Sequence, residues 1–447
     1  MSATVTKTGT TYSISNGYVS DYQFDYDYTV QEVSMTNVRS LGYRSFYYCT
    51  SLRTVIVLDT LTSIGSYCFQ NCNQLGSVQL PNTVQTISDS AFYGLSSLSS
   101  FNFPTSLSTV GSQTFYGCSK IPSATFSAAN VKIGESAFSG CSYLNKVTFS
   151  SSVTTIGSYA FNNCQNLTEV IFSSSVVTVG SYAFQSCNHL LQVIFSSSIG
   201  TLGSYAFQYC SRIENFSIKS GCSTMNSYIF NSANILNLHI KGSISSFGDY
   251  PFRNGIYGDI NMLDCSITSL PSYCFYECKI KSLYLSRAIT SLGYESFYYA
   301  VVGDLIFAGG SISLSDYVFY SAKINYAVFP NIRSFGSYDF DSATITTIDN
   351  IFRGTNYYYS YANSRYQKMY YSPKISNLTI PGTVKSIGNS SFHLTKLSKL
   401  IINEGVQTIN DYAFYLCEIN YLVLPSTIKY IGKFALTNLG VLPNITL

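Results

Sequence analysis

Residues 151–175 read SSVTTIGSYAFNNCQNLTEVIFSSS, and the stretches that follow, 175–198 and 198–220, read SVVTVGSYAFQSCNHLLQVIFSSS and SIGTLGSYAFQYCSRIENFSIKS. The three segments share one frame, in which the Phe of Ser-Tyr-Ala-Phe recurs every 23 residues. A fixed period of this length is typical of repeat architectures, whose units bury their apolar residues only against their neighbours. The motif therefore predicts stacked repeats and a surface suited to binding.

The same Phe, called here the anchor, can be followed along most of the chain. Seventeen anchors are found, and they are Phe46, Phe69, Phe92, Phe115, Phe138, Phe161, Phe184, Phe207, Phe230, Phe252, Phe275, Phe297, Phe319, Phe340, Phe392, Phe414 and Leu436, which holds the position in the last repeat. The 52 residues between Phe340 and Phe392 exceed the 46 of two 23-residue repeats, so we expect an insertion there. The pattern predicts one elongated repeat domain.

Each repeat shows two kinds of local pattern. Val170 and Phe172 alternate with Glu169 and Ile171, which is the period of a strand. Ile-Gly-Ser indicates a bend, and the Ser-Tyr-Ala-Phe-x-x-Cys segment fits one short helical or 3-10 turn. The fold class predicted is α/β, mainly β, with one long parallel sheet that the short turns cover on one face.

The repeated frame resembles the BspA-like class of leucine-rich repeats. The resemblance rests on Ile156-Gly157-Ser158-Tyr159-Ala160-Phe161 with Cys164, followed by Leu167, Val170 and Phe172, and it extends from about residue 30 to 440. It implies a right-handed leucine-rich-repeat solenoid. It also implies an adhesin or interaction protein without catalytic residues, and many members of the family are cell-surface proteins.

The repeats divide the chain into four predicted regions. Residues 1–29 precede the first full repeat and are expected to cap the open end of the sheet, although their acidic residues could equally form a small docking patch. Residues 30–352 form the leucine-rich repeats, 353–374 a Tyr-rich insertion loop, and 375–447 the C-terminal repeats and cap.

Cysteine and histidine give no sign of catalysis or of a metal. Nine of the thirteen cysteines lie three residues after an anchor, where four other repeats have Ala, so we expect buried reduced thiols rather than disulfides. Cys68 with Cys72, and Cys274 with Cys278, are four residues apart, but no second pair or histidine is placed to complete a zinc site. We expect no enzyme activity and no cofactor.

Composition limits the partners. Only 11% of the residues are charged and the net charge is +3, which favours neither nucleic acid nor a membrane surface. Residues 1–24 contain no apolar segment of signal-peptide length, and no stretch reaches the ~18 apolar residues of a spanning helix. We therefore expect a cytoplasmic protein, with unconventional export to the cell surface as the alternative.

The uncovered sheet face is the first candidate partner surface. Its outward positions include Ile171, Ile194, Ile306, Tyr326 and Tyr421, among small polar residues. Such residues could reflect only the β-propensity of strands, or they could form a shallow apolar contact surface. The sequence leaves both interpretations open.

The insertion is the second candidate. Its aromatic and basic residues are of the types enriched in binding hot spots, and an ordered contact loop is favoured over a disordered spacer because disordered segments are poor in aromatics. The candidate contacts are Arg353, Tyr357, Tyr358, Tyr359, Tyr361, Arg365, Tyr366, Lys368, Tyr370 and Tyr371.

These observations favour a non-enzymatic protein-binding scaffold. We expect an intracellular structural protein that associates with a cytoskeletal filament or another large assembly. The alternative is a cell-surface adhesin that binds host or matrix proteins. The sequence names neither the partner nor the oligomeric state.

Overall fold

The computed structural model describes residues 2–329, 331–334, 336–341, 343–349, 374–380, 382, 384–393, 395–437 and 444–446. The chain divides into two compact units, Met1–Asn234 and Ile235–Leu447. Both units are built from short strands and tight turns, and none of the described residues is helical. Except for one N-terminal hairpin, the strand pairings within each unit are parallel.

Unit 1 contains a hairpin followed by alternating front and back strands. The hairpin and the long strand that follows it are β1 (Thr4–Thr8), β2 (Thr11–Val19) and β3 (Glu32–Leu41). The front strands are β4 (Thr54–Val57), β6 (Ser77–Gln79), β8 (Ser100–Phe101), β10 (Ser123–Phe126), β12 (Lys146–Phe149), β14 (Glu169–Phe172), β16 (Gln192–Phe195) and β18 (Ile213–Ile218). The back strands are β5 (Ser63–Ile64), β7 (Thr86–Ile87), β9 (Thr109–Val110), β11 (Val131–Ile133), β13 (Val153–Ile156), β15 (Val176–Val179), β17 (Ile199–Leu202) and β19 (Cys222–Met225).

Unit 2 repeats the alternation. Its front strands are β20 (Asn234–Ile240), β22 (Ile256–Met262), β24 (Lys279–Leu285), β26 (Val301–Phe307), β28 (Lys323–Val328), β30 (Thr344–Asp349), β31 (Lys374–Ile380), β33 (Lys396–Ile402), β35 (Glu418–Ile419), β36 (Tyr421–Val423) and β38 (Asn444–Thr446). Its back strands are β21 (Ile244–Phe247), β23 (Ser269–Leu270), β25 (Ser291–Leu292), β27 (Ser311–Leu314), β29 (Asn331–Ser334), β32 (Ser386–Ile387), β34 (Thr408–Ile409) and β37 (Tyr430–Ile431).

The front strands pair with each residue opposite its equivalent in the next repeat. Val147, Val170 and Val193 form one column, and Phe149, Phe172 and Phe195 form another. All six side chains are buried, because successive residues of a strand point to opposite faces and these share the inner one. The predicted parallel-sheet solenoid is therefore confirmed.

The expectation of one long sheet was wrong, because each repeat contributes a second strand. The back strands are two to four residues long and form their own parallel ladders, for example Thr155 opposite Thr178 and Thr178 opposite Thr201. The sequence reads V-x-x-[IVL] here, with Val176 and Val179 buried. The signal was too short to predict a strand by alternation.

The predicted helical turn around each anchor was also wrong. Tyr159 and Asn163, on either side of Phe161, have φ values of 57° and 58°, which a right-handed helix excludes. The N–H groups of alternate residues instead donate to carbonyls of the next repeat: Tyr159 to Ser181 at 3.0 Å, Phe161 to Ala183 at 2.8 Å and Asn163 to Gln185 at 2.8 Å. An identical neighbouring turn offers these acceptors, so the bonds run between repeats rather than within one helix.

The glycine of Ile-Gly-Ser is required by close approach of the backbone. A Cβ on Gly180 would lie 2.5 Å from the Ser158 nitrogen and 2.6 Å from the Gly157 carbonyl carbon. Glycine lets these two turns meet without a clash of the Cβ. The motif predicted as a bend is thus a place where the backbones of adjacent repeats approach closely.

The anchors form a column of stacked rings within each unit. The ring centroids of Phe161 and Phe184 lie 5.2 Å apart with planes 4° from parallel, and Phe252 and Phe275 are 5.0 Å apart. The column begins earlier than predicted, because Phe24 stacks on Phe46 at 4.9 Å. Tyr12 of the hairpin lies 4.9 Å from Phe24 and is buried, so its ring closes the end of the column.

The cysteines three residues after the anchors are buried free thiols, as predicted. Each thiol donates to the anchor carbonyl of the preceding repeat. Cys187 Sγ donates to Phe161 O and Cys210 Sγ to Phe184 O, both at 3.2 Å. Burial raises the pKa of Cys164 and of Cys210 to about 12, so both stay protonated and able to donate. The position thus favours a small side chain with a weak donor.

The anchor column of unit 2 crosses the 52-residue gap in one step. The rings of Phe340 and Phe392 are direct neighbours, with centroids 5.4 Å apart and planes 2° from parallel. The front ladder, in contrast, has both β30 and β31 between β28 and β33. The anchor spacing in the sequence did not indicate this contact.

Asp339 directly precedes the anchor Phe340, and it is the one acidic residue at this position among the described repeats of unit 2. In unit 1 the same position is uncharged, as in Ala160 and Ala183. Its side chain is fully buried and accepts from Gly336 N at 2.6 Å and from Val318 N at 3.3 Å. Burial raises the pKa of Asp339 well above its ordinary value, against the effect of the backbone hydrogen bonds.

Asp339→Ala should stabilise the protein at neutral pH. Because the folded-state pKa is raised, the contribution of this carboxyl is most favourable below its unfolded pKa of about 3.9 and is lost as pH rises through the folded pKa. We expect Tm at pH 7 to rise by about 2–4 °C, the shift that roughly 1 kcal/mol produces in a unit of this size. The gain should shrink as pH falls towards 4.

The matched control is Asp264→Ala, which removes an exposed carboxylate paired with Lys241 at 2.9 Å. Exposed pairs contribute little, so its Tm should change little at either pH. A lower Tm at pH 7 for Asp339→Ala would show that the two backbone bonds outweigh the cost of burying the charge.

Candidate functional site

The outward face of the front strands is formed by two columns of side chains in each unit. In β14 the inward Val170 and Phe172 are buried, whereas the outward Glu169 and Ile171 are half-buried. This pattern repeats in β12 and β16. The alternation predicted from the sequence is confirmed, and it determines which side chains of these strands face outward.

In unit 1 the two outward columns differ in character. One column is polar and runs Lys146, Glu169, Gln192 and Asn215, and its first two residues form an ion pair of 2.7 Å. The other column places Ile171 directly opposite Ile194, between Thr148 and Ser217. The structure therefore brings two of the predicted contact residues together in neighbouring strands.

A shallow depression of about 290 Å³ lies beside the polar column. It is lined by Thr168, Glu169, Leu191, Gln192, Glu214 and Asn215. Glu214 was not among the predicted contacts, although it precedes an outward position of β18 by one residue. The depression could accept a side chain that carries hydrogen-bond donors.

In unit 2 the apolar column is longer. Tyr284 lies opposite Ile306, and Ile306 lies opposite Val328. The neighbouring column contains Ser282, Asp304 and Tyr326. Two predicted contacts, Ile306 and Tyr326, therefore belong to adjacent columns. Tyr284, which was not predicted as a contact, lies in the column of Ile306. Tyr284 could have been found by counting 22 residues back from Ile306.

The last predicted contact, Tyr421, lies in β36. The Nζ of Lys399 is 5.0 Å from the centroid of its ring, a cation–π geometry. Ile401 and Val423 pair in the adjoining column. The apolar stripe is thus present again in the C-terminal repeats.

The predicted insertion contacts lie outside the described residues. They are Arg353, Tyr357, Tyr358, Tyr359, Tyr361, Arg365, Tyr366, Lys368, Tyr370 and Tyr371. Their role stays a prediction.

The described residues offer little chemistry. Within them, no three His, Cys, Asp or Glu side chains are grouped so that they could hold a metal ion. His393 Nδ1 lies 3.5 Å from Asp341 Oδ2, which is an ion pair when the histidine is protonated. The same part of the chain contains no helix with the length and apolar character needed to cross a membrane.

Comparison with known proteins gives one family. A family model described as the BspA type leucine rich repeat region (6 copies) matches residues 17–145, 131–257, 259–347 and 363–447. These matches cover most of the chain. No curated protein matches.

Solved structures of bacterial leucine-rich repeat proteins are similar to this chain. A leucine-rich repeat protein from Bacteroides ovatus is 20% identical with a TM-score of 0.53, covering 77% of this chain and 93% of its own. A leucine-rich repeat protein from Eubacterium ventriosum is 16% identical with a TM-score of 0.34, and the match covers 98% of this chain and 92% of that protein. A leucine rich cell surface protein from Faecalibacterium prausnitzii is 15% identical with a TM-score of 0.29, and the match covers 68% of this chain and 89% of that protein. The first of these supports the fold.

Proposed function

This chain belongs to the BspA-type leucine-rich repeat family, and from that premise we propose that it is a non-enzymatic protein-binding scaffold whose partner lies on the outward face of the front strands. Leucine-rich repeat proteins of this kind are in general protein-interaction modules. The observation that carries the proposal is the half-exposed apolar column on that face, with Ile171 opposite Ile194 in unit 1 and Tyr284, Ile306 and Val328 in unit 2.

The shape of the column supports a protein partner. β-Propensity alone would explain isolated Ile or Tyr residues, but the register places them next to each other over consecutive strands. Polar residues such as Gln192 and Asp304 flank the stripe. An apolar centre with a polar rim is the usual anatomy of a protein interface.

We also propose an intracellular structural role, in a cytoskeletal or another large assembly. The buried thiols that donate hydrogen bonds to the anchor carbonyls support it, because reduced cysteines are typical of reducing compartments. The alternative is a cell-surface adhesin, which the family membership favours.

The front-face proposal is tested by crosslinking pull-down from the source cell with immobilised protein. The double variant Ile171→Lys, Ile194→Lys places two charges in the apolar column without touching the core, so we expect capture of the main partner to fall by about tenfold or more, since burying an unpaired charge is costly.

The matched control is Thr178→Lys, Thr201→Lys, which places the same charges at outward positions of the back strands. It should capture the partner as the wild type does. Equal losses in both variants would contradict a front-face site. A variant lacking residues 354–371 separates the insertion from the front face, since loss in that variant alone would move the site to the insertion.

The compartment is tested by fractionation of the source cell. We expect native protein in the cytoskeletal pellet and no antibody labelling of intact cells. Labelling of intact cells, with none in the pellet, would overturn the intracellular proposal and support the adhesin.

A further inference from the structure

The turns around the anchors of unit 2 present a second surface, made of tyrosines. We call it the tyrosine face, and it consists of Tyr250, Tyr273, Tyr276, Tyr294, Tyr298, Tyr299, Tyr317, Tyr320 and Tyr338. Most of these residues lie two before or one after an anchor. They belong to neither the front nor the back strands, so the surface is distinct from the site proposed above.

The rings of the tyrosine face contact one another continuously. Tyr250 and Tyr273 stack at 4.2 Å, and Tyr276, Tyr298 and Tyr320 form a second stack with centroids 5.2 and 5.0 Å apart. Tyr273 lies 5.9 Å from Tyr276 and so joins the two stacks. The rings hold each other in place, so little side-chain entropy remains to be lost when a partner binds.

Parts of these rings face solvent. Tyr294 is 37% exposed and Tyr299 is 44% exposed, and Tyr299 lies 4.6 Å from the half-buried Tyr298. The turn geometry explains the exposure, because Tyr299 has a φ of 53° two residues after its anchor. A left-handed residue there directs the ring outward from the core.

The face carries unbalanced negative charge. Glu277 is exposed and Glu295 is half-buried, and within the described part of the chain neither forms an ion pair. Asp249 is also exposed, and Asp316 directly precedes Tyr317 of this face. Arg253 is the one described cation that lies over its rings. Carboxylates therefore outnumber guanidinium groups here, and this excess attracts a positively charged partner.

The protein itself shows how a guanidinium binds these rings. The Cζ of Arg253 lies 5.6 Å from the centroids of both Tyr250 and Tyr276. In unit 1 the Cζ of Arg44 lies only 3.7 Å from the centroid of Tyr47. An arginine of an anchor turn therefore lies over a tyrosine ring in both units of this chain.

We propose that the tyrosine face binds an arginine-bearing segment of a partner protein. The guanidinium groups would lie against Tyr294, Tyr298 and Tyr299, and Glu277 and Glu295 would supply the opposite charge. Arginine is favoured over lysine because its planar, weakly hydrated guanidinium stacks on aromatic rings, whereas an ammonium is a compact, strongly hydrated charge.

The test uses three synthetic peptides with alternating glycine and arginine, glycine and lysine, or glycine and serine. Binding to the full chain is followed by the anisotropy of a labelled peptide and by tyrosine fluorescence, which no tryptophan obscures. We expect the arginine peptide to bind more tightly than the lysine peptide, and the serine peptide not to bind. The double variant Tyr294→Ser, Tyr299→Ser should weaken arginine binding by about tenfold.

Two further variants keep the test decisive. Glu277→Gln, Glu295→Gln retains every ring and should weaken arginine binding and its salt dependence, even if the tyrosine variant does not fold. Tyr143→Ser removes a 64% exposed tyrosine of unit 1 and should change nothing. Equal binding of the arginine and lysine peptides, or unchanged binding in both double variants, would overturn the proposal and leave the front-face site untouched.

Discussion

The structure depends on one constraint: each residue lies opposite its own equivalent in the next repeat, at the spacing between two neighbouring strands. The backbone satisfies this constraint through parallel ladders in the strands and through the alternate N–H donors of the anchor turn, such as Phe161 N to Ala183 O. Side chains then stack like on like, as Phe161, Phe184 and Phe207 do at 5.2 Å. The spacing suits offset aromatic rings and β-branched side chains, which explains the composition of the columns.

The same constraint explains why charge is sparse. A charged residue repeated in one column would face a like charge across about 5 Å, which destabilises neighbouring strands. Two pairs of charged residues from neighbouring repeats have opposite signs and form ion pairs, Lys146 with Glu169 and Asp259 with Lys281. Asp339 is different, because it places a single carboxyl in a core column where the other repeats have uncharged residues such as Ala160 and Val318.

The sequence predicted the features that a 23-residue period makes visible. The anchors, the Val170 and Phe172 face, the thiol position and the outward Ile171 and Ile194 all follow from alternation and spacing. The helical turn was predicted wrongly because local spacing cannot reveal that Tyr159 and Asn163 are left-handed, a conformation that only the neighbouring turn makes favourable. The back strands were missed because two to four residues carry too little alternation, and Phe24 was missed because its surroundings differ from the repeat motif. The tyrosine face needed coordinates, since it joins residues from several repeats.

The most direct test of the ladder between repeats is the scalar coupling across a hydrogen bond, measured by nuclear magnetic resonance on deuterated, isotope-labelled protein. A coupling between the amide nitrogen of Phe161 and the carbonyl carbon of Ala183 is predicted, and the equivalent coupling should recur from Phe184 to Ala206. A coupling from Phe161 to the Gly157 carbonyl, four residues earlier in the same repeat, would indicate an α-helical turn and would contradict the account.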